Sequence, residues 1–168
     1  MKVLGIDPGS ATVGYGVVAA DGADRRIRLL ECGVIRAAPR ADLPVRLRVI
    51  HEGLGELFER HRPDVLAVEG IFYARNVRTT AVLGHARGVI LLGGELAGVP
   101  VYEYSPARIK KAIAGRGAAL KPQVGFMVAK LLNLAVAPTP ADASDGVAVA
   151  LTHLLLTTGP RRARLAPR

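Results

Sequence analysis

The chain reads as one α/β domain in which three consecutive strands precede an alternation of helices and strands. Two observations predict this. Three apolar segments near the N-terminus are separated only by short turn signals, and apolar residues downstream switch between a helical period and short continuous runs. The length agrees, because 168 residues, half of them hydrophobic, suffice for one self-standing core.

Lys2–Asp7 is an apolar strand ending on a carboxylate, and Pro8-Gly9 turns the chain immediately. Residues 14–19 form a second strand closed by Asp21-Gly22, and residues 26–35 a third. Connections this short permit an antiparallel meander. From Pro44 to His61, apolar residues at Leu47, Ile50, Leu54, Leu57 and Phe58 recur every three or four positions, the stripe of an amphipathic helix. Asp64–Glu69 is a continuous apolar run, expected of a strand covered on both faces.

Residues 76–98 predict a long helix despite four glycines, each costing roughly 1 kcal/mol relative to alanine. Gly84 and Gly88 lie one turn apart, and small residues there would permit close approach of another helix, within the chain or across a dimer. Val99–Tyr104 is a fifth strand. Ser105-Pro106 is an N-cap with proline at the first helical position, opening a short basic helix through Ala114. A helix from Lys121 or Pro122 to Leu134 and a final helix from Asp142 to Thr158 complete the order βββαβαβααα. Residues 1–158 form the expected domain, and 159–168 a basic tail expected to be disordered.

Cys32 is the sole cysteine, which excludes an intrachain disulfide and a multi-cysteine zinc cluster. The segment before Asp7 is too short for a signal peptide, and the most apolar stretch, Val89–Val101, is broken by Glu95. A cytoplasmic protein without a membrane partner is expected. The net charge of +9 points to an anionic partner. The tail contributes four arginines and no acid, and subtracting these leaves +5 on residues 1–160. Arg75 and Arg78 follow Glu69 closely, and Arg108, Lys110, Lys111, Arg116 and Lys121 cluster further on. A solubilising surface would account for scattered charge, whereas clustering near acids favours phosphate binding.

Four acids stand where buried elements end: Asp7, Glu69, Asp142 and Asp145. Their mutual repulsion and desolvation in a basic protein call for a compensating cation, hence a metal site. The spacing of three places Asp142 and Asp145 on one helical face. Each acid alone also admits a structural role, in a turn, at a strand end or at a helix N-terminus. The four histidines form no spaced ligand motif and read as surface or packed residues.

The ordered set Gly5-Ile6-Asp7-Pro8-Gly9-Ser10, Gly14-Tyr15-Gly16, Glu69 through Asn76, Gly84-His85-Ala86-Arg87-Gly88, Tyr104 through Lys111, Lys121 and Ala141 through Gly146 spans nearly the whole chain. It resembles the RuvC-type Holliday-junction resolvases of the ribonuclease H-like superfamily. The resemblance implies a mixed five-stranded sheet, three strands antiparallel and two parallel, flanked by helices. It implies that Asp7, Glu69, Asp142 and Asp145 are catalytic and hold two Mg²⁺, with Mn²⁺ able to substitute. Two cations ~3.5–4 Å apart can serve the nucleophile, the phosphate and the leaving oxygen together. Some relatives place histidine at the position of Asp142.

The resemblance further implies junction-DNA contacts from Phe72, Tyr73, Arg75, Arg78, Lys110, Lys111 and Lys121, with Phe72 stacking on bases opened at the crossover. Isolated phenylalanines more often pack in cores. It implies a homodimer that makes paired symmetric nicks in recombination and repair, leaves 5′-phosphate ends, and works with the RuvA–RuvB branch-migration complex. Three alternatives stand beside this reading. A nuclease of the YqgF type shares the first strand motif and takes another nucleic acid, and a junction-binding module without catalysis would keep the basic surface. An actin-like phosphotransferase also begins with this strand and turn, but it would need a second lobe for which the chain has no room.

Overall fold

The computed structural model describes residues 1–21, 26–70 and 77–158, without the side chains of Val77, Arg78 and Thr158. The expected tail, 159–168, lies outside the described residues. Ten elements follow in the order βββαβαβααα: β1 (Lys2–Asp7), β2 (Thr12–Ala20), β3 (Ile27–Arg36), α1 (Leu43–His61), β4 (Val65–Glu69), α2 (Val77–Leu96), β5 (Val101–Tyr104), α3 (Pro106–Ala114), α4 (Lys121–Leu131) and α5 (Ala141–Thr158). The strands form one sheet in the order β3-β2-β1-β4-β5. β1, β2 and β3 pair antiparallel, while β4 pairs parallel to β1 and β5 parallel to β4. The expected mixed sheet is therefore present, with β1 at its centre.

Period-two alternation sorts the side chains onto two faces. Leu4, Ile6, Val13, Val17, Leu66 and Val68 pack with Ile50, Leu54, Leu57 and Phe58 of α1 and with Ile90 of α2. Val3, Val18, Val65, Ala67 and Tyr104 pack on the opposite side with residues of α3, α4 and α5. Helix α5 is the most deeply buried helix, and Ala143, Val147, Val149, Ala150, Leu151 and Leu154 have no exposed surface. The β3 edge of the sheet is tied to α1 by Glu31, which accepts hydrogen bonds from Tyr15 Oη at 2.8 Å and from Arg60 at 2.9 Å.

The seat of α5 is made of glycine. Gly5 and Gly16 face each other across β1 and β2, and Gly14 pairs with Asp7. A Cβ on Gly5 would lie 2.3 Å from the Gly146 carbonyl oxygen, on Gly16 2.6 Å from Val147 Cα, and on Gly14 1.9 Å from the Asp142 carbonyl oxygen. From the helix side, a Cβ on Gly146 would lie 2.5 Å from Tyr15 Cα. Backbone thus meets backbone, which no side-chain-bearing pair allows.

Two helices stop earlier than the sequence suggests. α4 ends at Leu131 rather than Leu134, because Asn133 takes a left-handed conformation with φ 55° and Leu134 N–H bonds back to Ala129 at 2.9 Å. α2 ends at Leu96 because Gly98 has φ 65° and Val99 N–H donates to Gly94. Val99 and Pro100 thus belong to the turn, and β5 starts at Val101. Ser105 caps α3 as expected, its Oγ accepting from Arg108 N–H at 3.2 Å.

Gly14→Ala is expected to be strongly destabilising, because its methyl group would meet main chain rather than a flexible side chain. A loss of about 3 kcal/mol or more is expected from such overpacking. A urea-unfolding free energy within about 0.5 kcal/mol of wild type would show that α5 can retreat freely.

Candidate active site

Strand parity explains why two distant acids, Asp7 and Glu69, face one place. Val3, Gly5 and Asp7 point to the α5 side of β1, and Val65, Ala67 and Glu69 to the same side of parallel β4. The first turns of α5, resting on the glycine seat, bring Asp142 and Asp145 over the end of β1. Carboxylate oxygens of Asp7, Asp142 and Asp145 all lie within 4.8 Å of one another. Glu69 enters from the side. It lines a narrow cleft of about 120 Å³ with Asp7, Asp145, Lys110 and Lys121. All four expected acids thus converge, three as a tight group and Glu69 on its flank.

The group is electrostatically strained. Asp7 is pushed up to about 7, first by burial and then by Glu69 and Asp145, with Lys121 working in the opposite direction. Burial and Asp145 also raise Glu69, while Lys121 and Lys110 oppose that rise. Lys121 Nζ lies 2.6 Å from Asp145 Oδ2, and this contact raises the lysine above its ordinary value. One partly solvated ammonium therefore leaves an acid deep in the cleft sharing its charge with protons near neutrality. Hard carboxylate oxygens at this spacing suit a divalent cation that prefers oxygen ligands, and such a cation would offset the repulsion. The residues present fit the expected metal.

Among the expected cations, Lys110 of α3 and Lys121 of α4 line the acidic cleft. Lys111 follows Lys110 on α3 and is exposed. Phe72, Tyr73 and Arg75 lie outside the described residues, and Arg78 falls in α2 with its side chain also outside them.

A buried pair behind the site was not singled out by sequence. Tyr104 Oη lies 2.8 Å from His153 Nδ1, and His153 is only 2% exposed. Burial lowers His153 to about 4, so the ring is neutral at pH 7 and shares one hydrogen bond with the phenol. Tyr104 pairs with Glu69 in the sheet and accepts from Gly70 N–H at 2.9 Å. The pair therefore links the strand end bearing Glu69 to the helix bearing Asp142 and Asp145. A tyrosine ending one apolar strand and a histidine within the most apolar helix were the only sequence signal.

The family model for crossover junction endodeoxyribonuclease RuvC matches residues 3–153. Crossover junction endodeoxyribonuclease RuvC of Brevibacillus brevis is 45% identical over 153 residues, covering 91% of this chain and 91% of that protein. The Thermus thermophilus RuvC structure is 40% identical, covers 94% of this chain and 96% of its own, and superposes with a TM-score of 0.86. T. thermophilus RuvC in complex with a Holliday junction substrate is 41% identical, with 93% and 94% of the two chains covered and the same TM-score of 0.86. With its mixed sheet of ribonuclease H-like type and its converging carboxylates, the chain belongs to the RuvC family of crossover junction endodeoxyribonucleases.

Proposed function

We propose that this chain resolves Holliday junctions as a structure-specific endodeoxyribonuclease, cutting two symmetric strands and leaving 5′-phosphate ends, in DNA recombination and repair. The observation that carries this reading is the convergence of Asp7, Asp142 and Asp145, with Glu69 beside them, at the edge of a basic surface. A junction-binding module without catalysis would gain nothing from concentrating acids where they oppose DNA. The matched family likewise favours a junction substrate over the RNA or other substrate of a YqgF-type nuclease.

Residues 1–158 are the nuclease unit, and 159–168 a basic extension. Asp7, Glu69, Asp142 and Asp145 would hold two Mg²⁺, which Mn²⁺ could replace. When bound, these ions supply charge for water activation and for the leaving oxygen. The chain's own residues supply the rest. Asp7 gives up its proton to become a ligand, and the buried first turns of α5 keep Asp142 and Asp145 in fixed orientation. Lys110 and Lys121 flank the cleft on the side from which a phosphodiester would approach, and Lys111, Arg75 and Arg78 extend the cationic surface. Phe72 and Tyr73, three and four residues after Glu69, would stack on opened bases.

A four-way junction offers two equivalent strands, and a two-fold homodimer offers two equivalent sites. On α2, Gly84, Gly88, Leu92 and Leu96 form an exposed row four residues apart. Among the described residues nothing within 4 Å would meet a Cβ on Gly84 or Gly88, so no neighbouring helix of this chain uses that space. This row is the proposed dimer seam. Among the described residues, no helix is long and apolar enough to cross a membrane. Action in the cytoplasm with the RuvA–RuvB complex completes the proposal.

Cleavage of a labelled four-way junction beside a matched linear duplex tests the function. Paired nicks in the junction alone are expected with Mg²⁺ and none with EDTA. Asp7→Asn should lose at least about a thousandfold in rate, an effect of order 4 kcal/mol, while still binding the junction. Cleavage that survives Asp7→Asn would remove that residue from the chemistry.

Metal affinity should depend on pH through Asp7. Below about 7 the carboxyl is protonated and a cation must displace that proton, so affinity should fall about tenfold per unit of pH; above it, affinity should level off. Titration calorimetry with Mn²⁺ in buffers of differing ionisation heat should detect proton release at pH 6 and little at pH 8. Equal release at both would contradict a protonated Asp7. For the DNA, Lys121→Ala should make the fall of log affinity with log salt shallower, by about one unit at most. An unchanged slope would mean that Lys121 meets no phosphate.

A further inference from the structure

The acidic cleft does not end at Lys121. A second recess of about 340 Å³ continues from it on the α4 side and shares both Lys121 and Asp145. Its walls are otherwise apolar or small, chiefly Gly125, Phe126, Ala137, Pro138 and Ser144. Phe126 is its outer wall. Although a large aromatic, it is 59% exposed, and Lys130 Nζ stands 5.3 Å from its ring centroid. Behind it lies another open depression of about 480 Å³, lined by Ala114, Arg116, Pro122, Gln123 and Met127. Phe126 is thus a ridge between two recesses, with Lys121, Arg116 and Lys130 around it.

The ring stands in solvent between two recesses with three cations around it, an arrangement suited to an external ligand. A protein side chain could fill the recess, but the surrounding positive charge selects a ligand that is flat, apolar on its faces and anionic at its links. A nucleotide has that chemistry. The recess begins at the pair of residues that would flank the cleaved phosphodiester, so a sugar and base attached to that phosphate could lie in it without leaving the protein. Its volume falls in the usual range for small-ligand sites, ~300–1,000 Å³.

We propose that this recess receives the nucleoside next to the cleaved phosphodiester, with Phe126 stacked on its base, and that this contact helps to select the cutting sequence. The inference rests on the junction-cleaving reading above. Phe126 is a specificity residue here, distinct from the acids and from the aromatic residues that follow Glu69. Gly125 keeps the floor open. A Cβ there would lie 3.6 Å from Ala137 Cβ and 3.8 Å from Ser144 Oγ, already in contact with the opposite wall.

The test uses the full chain as wild type, Phe126→Ala and Phe126→Tyr, on four-way junctions in which the bases on each side of the cut are varied. Single-turnover cleavage is measured with saturating Mg²⁺. The fluorescence of 2-aminopurine at each flanking position is measured on binding in EDTA. In Phe126→Ala, the best sequence should be cut about tenfold more slowly, consistent with loss of one base stack. The spread of rates among sequences should shrink, and quenching of 2-aminopurine at one flanking position should be lost. Phe126→Tyr should restore all three. The salt slope of binding should not change, because stacking releases no counterions. Wild-type rates, sequence ratios and quenching in Phe126→Ala would overturn the proposal and leave a protein partner as the occupant of this face. A wild type that cuts no four-way junction would defeat the functional reading itself, and this inference with it.

Discussion

Everything at the candidate active site depends on how closely α5 lies on the centre of the sheet. Helices ordinarily stand off a sheet by the length of their side chains, but here Gly5, Gly14 and Gly16 on one side and Gly146 on the other remove that layer. The acids of α5 sit only one to four residues from Gly146, so they are lowered onto the end of β1 instead of being held above it. A helix raised by one methyl group would separate Asp142 and Asp145 from Asp7. The core beneath α5 would lose its close packing, and the acid cluster would lose its geometry.

That closeness has an electrostatic consequence. The contact that brings the carboxylates together also strips water from them, and both effects disfavour their ionised forms. Asp7, at the centre, is raised most clearly, to about 7. Against an unfolded value near 3.8, its raised pKa means that the folded state binds more protons between about pH 4 and 7. Stability from this group therefore falls as pH rises through that window, by an amount on the order of a few kcal/mol. His153 works in the opposite direction. Its folded value near 4 lies below the ordinary 6.5, so its contribution is complete above 6.5 and is lost as pH falls toward 4. Near neutrality the helix is held by a neutral histidine at one end while its acidic end is poised to exchange protons for cations.

Much of this was legible in the sequence, because strand parity and helical spacing are local. Residues 3, 5 and 7 and residues 65, 67 and 69 show which acids share a face, and the interval between Asp142 and Asp145 places both on one side of a helix. The order of elements followed from periodicity and turn signals, and the mixed sheet from the resemblance that the ordered motifs carry. Gly14 and Gly16 were read only as part of a strand, because nothing local reveals that their missing side chains make room for Gly146, some 130 residues away. The same distance hides Tyr104 and His153 from each other. The early end of α4 arises from the left-handed Asn133, whose conformation a run of apolar residues does not disclose. Phe126 lies two residues from both Val124 and Val128, which puts it on the face of α4 opposite those core positions, and it is exposed there.

The division of labour between rigid and exposed elements follows from what each ligand demands. A metal site tolerates errors of only tenths of an ångström in its ligands. The acids of the proposed metal site accordingly come from the central strand, its parallel neighbour and the most buried helix, whose positions the core on both faces over-determines. Phosphates ask less. A lysine is long, flexible and attracts through charge over several ångströms, so Lys110 and Lys121 can stand on the outer helices α3 and α4 and still reach the cleft. An aromatic stacking surface has an intermediate demand, since a ring must lie parallel to a base but can slide across it. Phe126 meets that demand from α4, which is anchored below by Val124 and Val128 and open above. Affinity, chemistry and sequence choice can therefore vary separately, because the groups serving them rest on layers of the fold with different stiffness.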